Sequence, residues 1–250
     1  MFELTDRVIL VTGGSRGIGR AVAEELGRAG ASVVVGYRSE LDAAAETVRR
    51  VLDAGGDALA VPGDVRVPLE VDRLVTDAHR WKGSLHGVVT SAGVFRGDPI
   101  LAVGRGEWEE VIATDLEGTF RTVQAAVPFL EADGAGSIVT VSSVLGRSPS
   151  AGGIPYQSVK AGIEQMTRGL ALELAPKVRV NCVAPGFIRT DMNRPGHSDP
   201  SFAAQVAAAT PLGRWGEPED VAPSVRFLLS EEAGWITGVV LPVDGGIALP

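Results

Sequence analysis

The chain has 250 residues, 45% of them hydrophobic, which is enough for one large α/β core or two small domains. Its formal net charge of -8, from 31 acidic and 23 basic side chains without a long block of like charge, argues against nucleic acid as a partner. The amino terminus, "MFELTDRVILVTGG", carries Glu3 and Asp6 before a short apolar run, so neither a secretory leader nor a membrane span is expected. The single cysteine, Cys182, has no internal disulfide partner and reads as a buried filler, which points to the cytoplasm. His79, His86 and His197 lie in unrelated segments, and no metal site is expected.

In chain order, short β-branched runs alternate with segments of helical period. "RVILVT" precedes 16–29, "SVVVGY" precedes 40–54, "DALAV" precedes 68–80, and "HGVVTS" precedes 106–130. "SIVTVSS" then precedes 155–175, "VRVNCV" leads through an irregular stretch to a helix near 217–230, and "GVVLPVDGG" closes the chain. Continuous Val/Ile runs joined through helices demand parallel strands with right-handed crossovers. The expected fold is α/β: a Rossmann-type doubly wound parallel sheet of about seven strands flanked by helices, in a single domain. The stretch 187–213, whose part "FIRTDMNRPGHSDPSF" lacks clear period, is expected to be a substrate lid.

Between the first strand and its helix, Gly13, Gly17 and Gly19 are spaced G-x-x-x-G-x-G. Glycines there let backbone N–H groups approach a pyrophosphate, and the helix amino terminus favours the anion, so a dinucleotide is the expected ligand. The same residues, Gly13 to Gly17, also match the G-x-S-x-G elbow of serine hydrolases. Only twelve residues precede Gly13, too few for the strands that such an elbow needs. At the end of the second strand, where a carboxylate would grip a ribose 2′-hydroxyl, the chain reads Val35-Gly36-Tyr37-Arg38. Arg38, joined by Arg16, suits a 2′-phosphate and selects NADP(H) over NAD(H). Asp64, in "PGDVR" after the third strand, suits an acceptor for the adenine amine.

Tyrosine occurs twice, at 37 and 156, and lysine three times, at 82, 160 and 177. On a helix beginning near Pro155, Tyr156 lies within the apolar stripe of Val159, Ile163, Met166 and Leu170. Lys160 lies about 40° away around the axis, so both point inward. Hydride transfer to a carbonyl carbon leaves an oxygen that needs a proton donor and a second hydrogen bond. A phenol, ordinarily near pKa ~10, becomes a better acid–base group beside an ammonium. Tyr156 is the expected acid or base, Lys160 the ammonium, and Ser143, delivered by "SIVTVSS", the group that holds the oxygen.

Together "TGGSRGIG" at 12–19, "GDV" at 63–65, "SAG" at 91–93, Ser143, Tyr-x-x-x-Lys at 156–160, "NCVAPGFIRTDM" at 181–192 and the closing "VDGG" closely resemble the short-chain dehydrogenase/reductase family along the whole chain. The resemblance implies that Ser143, Tyr156 and Lys160 are catalytic. It further implies a cofactor site of Gly13, Ser15, Arg16, Gly17, Ile18, Gly19, Tyr37, Arg38, Asp64, Val65, Ala92 and Gly93, completed by Tyr156, Lys160, Pro185, Gly186, Ile188 and Thr190. A homotetramer through the helices at 106–130 and 155–175 is also implied. Two departures stand out. Thr90-Ser91-Ala92-Gly93 replaces the family's Asn-Asn-Ala-Gly, and Asp115 stands where the family has an asparagine in a proton relay.

Within the family the carboxyl-terminal pattern is similar to 3-oxoacyl-thioester reductases of fatty-acid or polyketide synthesis. Near the expected docking positions, however, only Lys177 and Arg179 face Glu131 and Asp133, which argues against acyl carrier protein as a partner. A free ketone or alcohol is the alternative substrate, and a nucleotide-binding subunit without turnover is a third reading that rests on Asp115 alone.

Overall fold

The β-branched runs form seven strands: β1 (Val8–Thr12), β2 (Ser32–Tyr37), β3 (Asp57–Pro62), β4 (Gly87–Thr90), β5 (Gly136–Val141), β6 (Val178–Pro185) and β7 (Val240–Val243). They make one sheet in the order β3-β2-β1-β4-β5-β6-β7, with every pairing parallel. The computed structural model describes residues 3–132 and 134–249. Asp133 therefore lies outside the described residues.

The strands are mostly apolar because helices cover both faces. Ile9 and Val11 of β1 pack toward α1 (Gly17–Arg28), α2 (Leu41–Asp53) and α9 (Pro218–Leu229). Val8 and Leu10 pack toward α3 (Pro68–Lys82), α5 (Gly118–Ala132) and α6 (Ile154–Leu174). The two faces meet two separate apolar layers, so alternate residues of one strand serve different helices.

Strand order reverses beside β1, whose neighbours are β2 and β4. A crevice must open there at the carboxyl ends of the strands. The turn after β1 and the loop after β4 form its walls, and a Cβ added at Gly13 would lie 2.8 Å from the main chain of Ala92.

Two expectations are corrected. The helix expected at 106–130 is three segments: α4 (Arg105–Val111), a π-helical turn (Ile112–Glu117) and α5. The stretch at 187–213 is not irregular, since it contains α7 (Arg194–Ser198) and α8 (Pro200–Ala209). Asp199 caps α8, accepting from the backbone N–H of Ser201 at 2.9 Å and of Phe202 at 3.3 Å. Trp215 is buried beneath these helices, donates from Nε1 to the Ala203 carbonyl at 3.1 Å, and meets Phe187, Phe202 and His197 edge-on.

Arg179 on β6 is a half-buried cation whose partners are carbonyls. It donates to Leu228 at 2.9 Å, Ser230 at 3.1 Å and Ile236 at 3.3 Å, closing the carboxyl end of α9 where backbone acceptors lack helical partners. Charged hydrogen bonds of this kind contribute about 1.5–3 kcal/mol each. Arg179→Met is therefore expected to lower unfolding free energy by at least about 2 kcal/mol in urea titration, with nucleotide affinity retained. Unchanged stability would show that these contacts contribute nothing net.

Candidate active site

An open cleft runs along the carboxyl edge of the sheet. At one end stand Arg16, Tyr37, Arg38, Asp64 and Val65. Its middle is lined by Gly13, Ser15, Gly17, Ile18, Gly19, Ala92 and Gly93, and its other end by Ser143, Tyr156, Lys160, Pro185, Gly186, Ile188 and Thr190. The structure thus brings all these residues to one wall, while Asp115 stands behind it, fully buried.

The middle is built from the glycine turn. Gly13 and Gly17 have φ of 65° and 55°, values that side-chain-bearing residues rarely adopt, and they turn the chain into α1. Arg20, which the sequence reading did not single out, holds this turn. Its guanidinium donates to the Ser15 carbonyl at 2.6 and 3.1 Å, to Ala43 at 3.2 Å and to the Thr47 hydroxyl at 3.0 Å. The only sequence signal was an arginine one position after Gly19.

At the first end, Arg16 and Arg38 are exposed and form no ion pair among the described residues. Glu40 also lines the cleft there, an acid three residues beyond the strand end. Asp64 is held by Arg66, whose Nε lies 2.9 and 3.0 Å from its two carboxylate oxygens. This hydrogen-bonded pairing pulls the Asp64 carboxyl below its ordinary pKa. An adenine amine would share the carboxylate with Arg66.

The other end carries the ionisable groups. Tyr156 and Lys160 both face inward from α6, and Lys160 Nζ lies 5.2 Å from the Tyr156 ring centroid. Phe95 closes the far side of that ring edge-on at 5.1 Å. Ser143 follows β5, its Oγ accepts from the Leu145 N–H at 3.2 Å, and its hydroxyl lies in hydrogen-bonding reach of the Tyr156 phenol.

Asp115 reaches Lys160 because the π turn adds a residue to one coil of the helix and presses its side chain inward. Oδ2 lies 3.1 Å from Lys160 Nζ, and Oδ1 accepts from the Val94 N–H at 2.8 Å. Lys160 also donates to the Val141 carbonyl at 3.1 Å. Burial pushes the Asp115 carboxyl up while Lys160 pulls it down. Burial alone would lower Lys160, but Asp115 and Tyr156 outweigh it and raise the ammonium. Raised values for both partners ask for a neutral acid and a charged base at once. Oδ1 accepts from the Val94 N–H, while Oδ2, which has no hydrogen bond among the described residues, stands at ion-pair distance from Lys160 Nζ; a proton on Oδ2 would find no acceptor there, so the arrangement favours Lys160⁺–Asp115⁻. For Tyr156, burial raises the phenol, Lys160 lowers it, Asp115 raises it and Ser143 lowers it, with a net rise.

A glycine turn, free arginines and a buried phenol–ammonium pair in one cleft are the parts of a nicotinamide-nucleotide oxidoreductase. A sequence profile described as "Enoyl-(Acyl carrier protein) reductase" matches residues 13–248. The chain is 38% identical over 249 residues to "3beta-hydroxysteroid dehydrogenase 1" of Eggerthella lenta, covering 99% of this chain and 95% of that one. It belongs to the short-chain dehydrogenase/reductase family. A short-chain type dehydrogenase/reductase from Mycobacterium ulcerans superposes with a TM-score of 0.94 at 36% identity, over 99% of this chain and 91% of that one. A gluconate 5-dehydrogenase from Burkholderia cenocepacia, solved with NADP and tartrate, gives 0.93 at 30% identity, over 100% and 98%.

The pair makes a pH-dependent prediction. Because the Asp115 carboxylate raises the phenol pKa, Asp115→Asn should lower it, and alcohol oxidation, which needs phenolate, should reach its plateau at lower pH. The check is the pH profile of NADP⁺ reduction by a secondary alcohol in both proteins. An unshifted profile would reduce Asp115 to a neutral hydrogen-bonding group.

Proposed function

We propose that the protein is an NADP(H)-dependent oxidoreductase interconverting a free, uncharged ketone and its secondary alcohol. The observation that carries the proposal is the buried Tyr156 phenol beside an ammonium, open to the same cleft as the glycine turn. When bound, the nicotinamide supplies or accepts the hydride. Gly13, Gly17 and Gly19 would admit the pyrophosphate, Arg16 and Arg38 would take the 2′-phosphate, and Pro185, Gly186, Ile188 and Thr190 would hold the nicotinamide. Ser143 donates a hydrogen bond to the reacting oxygen, and Tyr156 delivers a proton to it in reduction or removes one in oxidation. Lys160 favours the phenolate, and Asp115 holds Lys160 charged.

The substrate class is inferred from charge on the segments that flank the reacting end. Arg96 pairs with Glu110 at 2.7 Å, Arg147 with Glu164 at 2.6 Å, Arg189 with Glu217 at 3.3 Å, and Arg194 with Asp191. None of the four is left to hold a substrate carboxylate or phosphate. Val94 and Met192 offer apolar surface in the cleft instead, with Phe95 packed edge-on against Tyr156, which suits a ring-type ketone, and the relative named for a hydroxysteroid agrees. A 3-oxoacyl thioester is the second reading, supported by the profile's description. A carrier protein fits it poorly, since Lys177 pairs with Glu131 at 3.3 Å and Arg179 serves the end of α9. The helices 187–213 act as the lid, and the domain is single. Assembly as a homotetramer would cover exposed Trp108 and Phe120 on the α4–α5 face and Leu172 on α6. Buried, unpaired Cys182 fits a reducing cytoplasm.

Tyr156→Phe should lower kcat by at least about a hundredfold in NADPH-oxidation assays while leaving nucleotide affinity within about twofold. Retained turnover would move the proton donor elsewhere. NADPH should bind more tightly than NADH, and Arg38→Asp should narrow or reverse the difference; equal affinities in the unmodified protein would exclude the 2′-phosphate site. Across a panel of 1-decalone, a 3-oxosteroid, small ketones, and coenzyme-A and carrier-bound 3-oxoacyl thioesters, the cyclic ketones should give the highest kcat/KM. Preference for the carrier-bound thioester would favour the second reading.

A further inference from the structure

Glu164 lies one helical turn beyond Lys160 on α6, yet its side chain has no part in the acid–base chemistry. It is 4% exposed. A carboxylate buried to that degree is costly unless paired, and an apolar residue would pack α6 more cheaply. Its contacts all lead to one place. Oε2 accepts from Arg147 Nε at 2.6 Å, with Arg168 of its own helix at 3.5 Å, and Oε1 lies 3.4 Å from the Ser142 hydroxyl. Ser142 in turn donates to the Lys160 carbonyl at 3.0 Å.

Arg147 ends the short turn that begins at Ser143, in which Gly146 and Arg147 donate back to the carbonyls of Ser143 and Val144 at 2.9 and 3.0 Å. The turn sits directly on the helix. A Cβ added at Gly146 would lie 3.0 Å from the Lys160 carbonyl carbon and 3.1 Å from the Ala161 nitrogen. One turn of backbone thus carries Ser143 at its start and is tied to α6 at its end, so the ion pair sets where the serine hydroxyl stands relative to Tyr156 and Lys160.

Gln157 grips the same segment farther along and serves as an internal comparison. Its Oε1 accepts from the Ser150 N–H at 3.2 Å, and its Nε2 donates to the carbonyls of Ser150, at 2.9 Å, and Gly152. That part of the segment leans on the loop after β4, where Gly153 donates to the Asp98 carbonyl at 3.1 Å. It therefore shapes the substrate wall rather than the serine.

We infer that Glu164, acting through Arg147, is the positioning residue of Ser143, an inference that rests on Ser143 holding the reacting oxygen. A misplaced hydrogen-bond donor costs rate rather than nucleotide affinity, and displacements of about 1 Å cost up to about a hundredfold.

The test compares Glu164→Gln, Ser143→Ala and the double variant, with NADPH and 1-decalone as probes. Glu164→Gln is expected to lower kcat about tenfold with the NADPH Kd within twofold, and to cause no further loss, within twofold, in the Ser143→Ala background. Arg147→Met, which breaks the pair from its exposed side, should reproduce this pattern even where Glu164→Gln folds poorly. Gln157→Leu should raise KM more than it lowers kcat. The inference is overturned if both Glu164→Gln and Arg147→Met leave kcat within twofold, if their losses multiply fully with that of Ser143→Ala, or if Gln157→Leu lowers kcat equally. Full activity of Ser143→Ala would remove the role of Ser143 itself, a failure of the proposed function that is distinct from these.

Discussion

The arrangement depends on one buried ion pair. Lys160 and Asp115 meet at 3.1 Å where neither side chain is more than 6% exposed, beside a phenol that is itself buried. An isolated ammonium there would shed its proton, and an isolated carboxylate would gain one. Paired, each keeps its charge, and the phenol feels both. Asp115 thereby trades field for security: it preserves the ammonium while cancelling part of what the ammonium offers Tyr156. In the proposed chemistry the reduction direction, which uses a protonated phenol, tolerates this better than oxidation does.

The fold supplies that pair from two helices. α6 brings Tyr156 and Lys160 on successive turns of one face, and the π turn between α4 and α5 brings Asp115 to meet them. The Val94 N–H, from the loop after β4, fixes the second carboxylate oxygen and so ties the pair to the switch point of the sheet. The close approach leaves no room for a side chain at Gly93, where a Cβ would lie 2.8 Å from Asp115 Oδ2. The loop after β4 therefore touches both the glycine turn and the Lys160–Asp115 pair, and a change in it reaches both.

The features legible in the sequence were those written in local patterns. Seven strands were visible because parallel strands covered on both sides read as runs rich in Val and Ile. The glycine turn was visible because its backbone requires glycine, and Tyr156 with Lys160 because i and i+4 share a helix face. What escaped depended on partners distant in sequence. Nothing near residues 112–117 announces a π turn, whose inward side chain Asp115 meets Lys160 of α6. The sequence does not mark Arg20, whose acceptors include Ala43 of another helix, or Glu164, whose partner Arg147 comes from another loop. Helix α8 was missed despite a usable signal, for Asp199-Pro200 is a cap followed by a first-turn proline.

The most direct test of the account is the titration of Tyr156 itself, followed by ¹³C NMR of the ring Cζ in tyrosine-labelled protein with NADP⁺ bound. Two tyrosines are present, and Tyr37→Phe assigns the signals. The account predicts that the Tyr156 pKa rises in Lys160→Met, where the stabilising ammonium is gone, and falls in Asp115→Asn, where the opposing carboxylate is gone. A Tyr156 titration that is the same in all three proteins would contradict it, because the phenol would then take its acidity from something other than the buried pair.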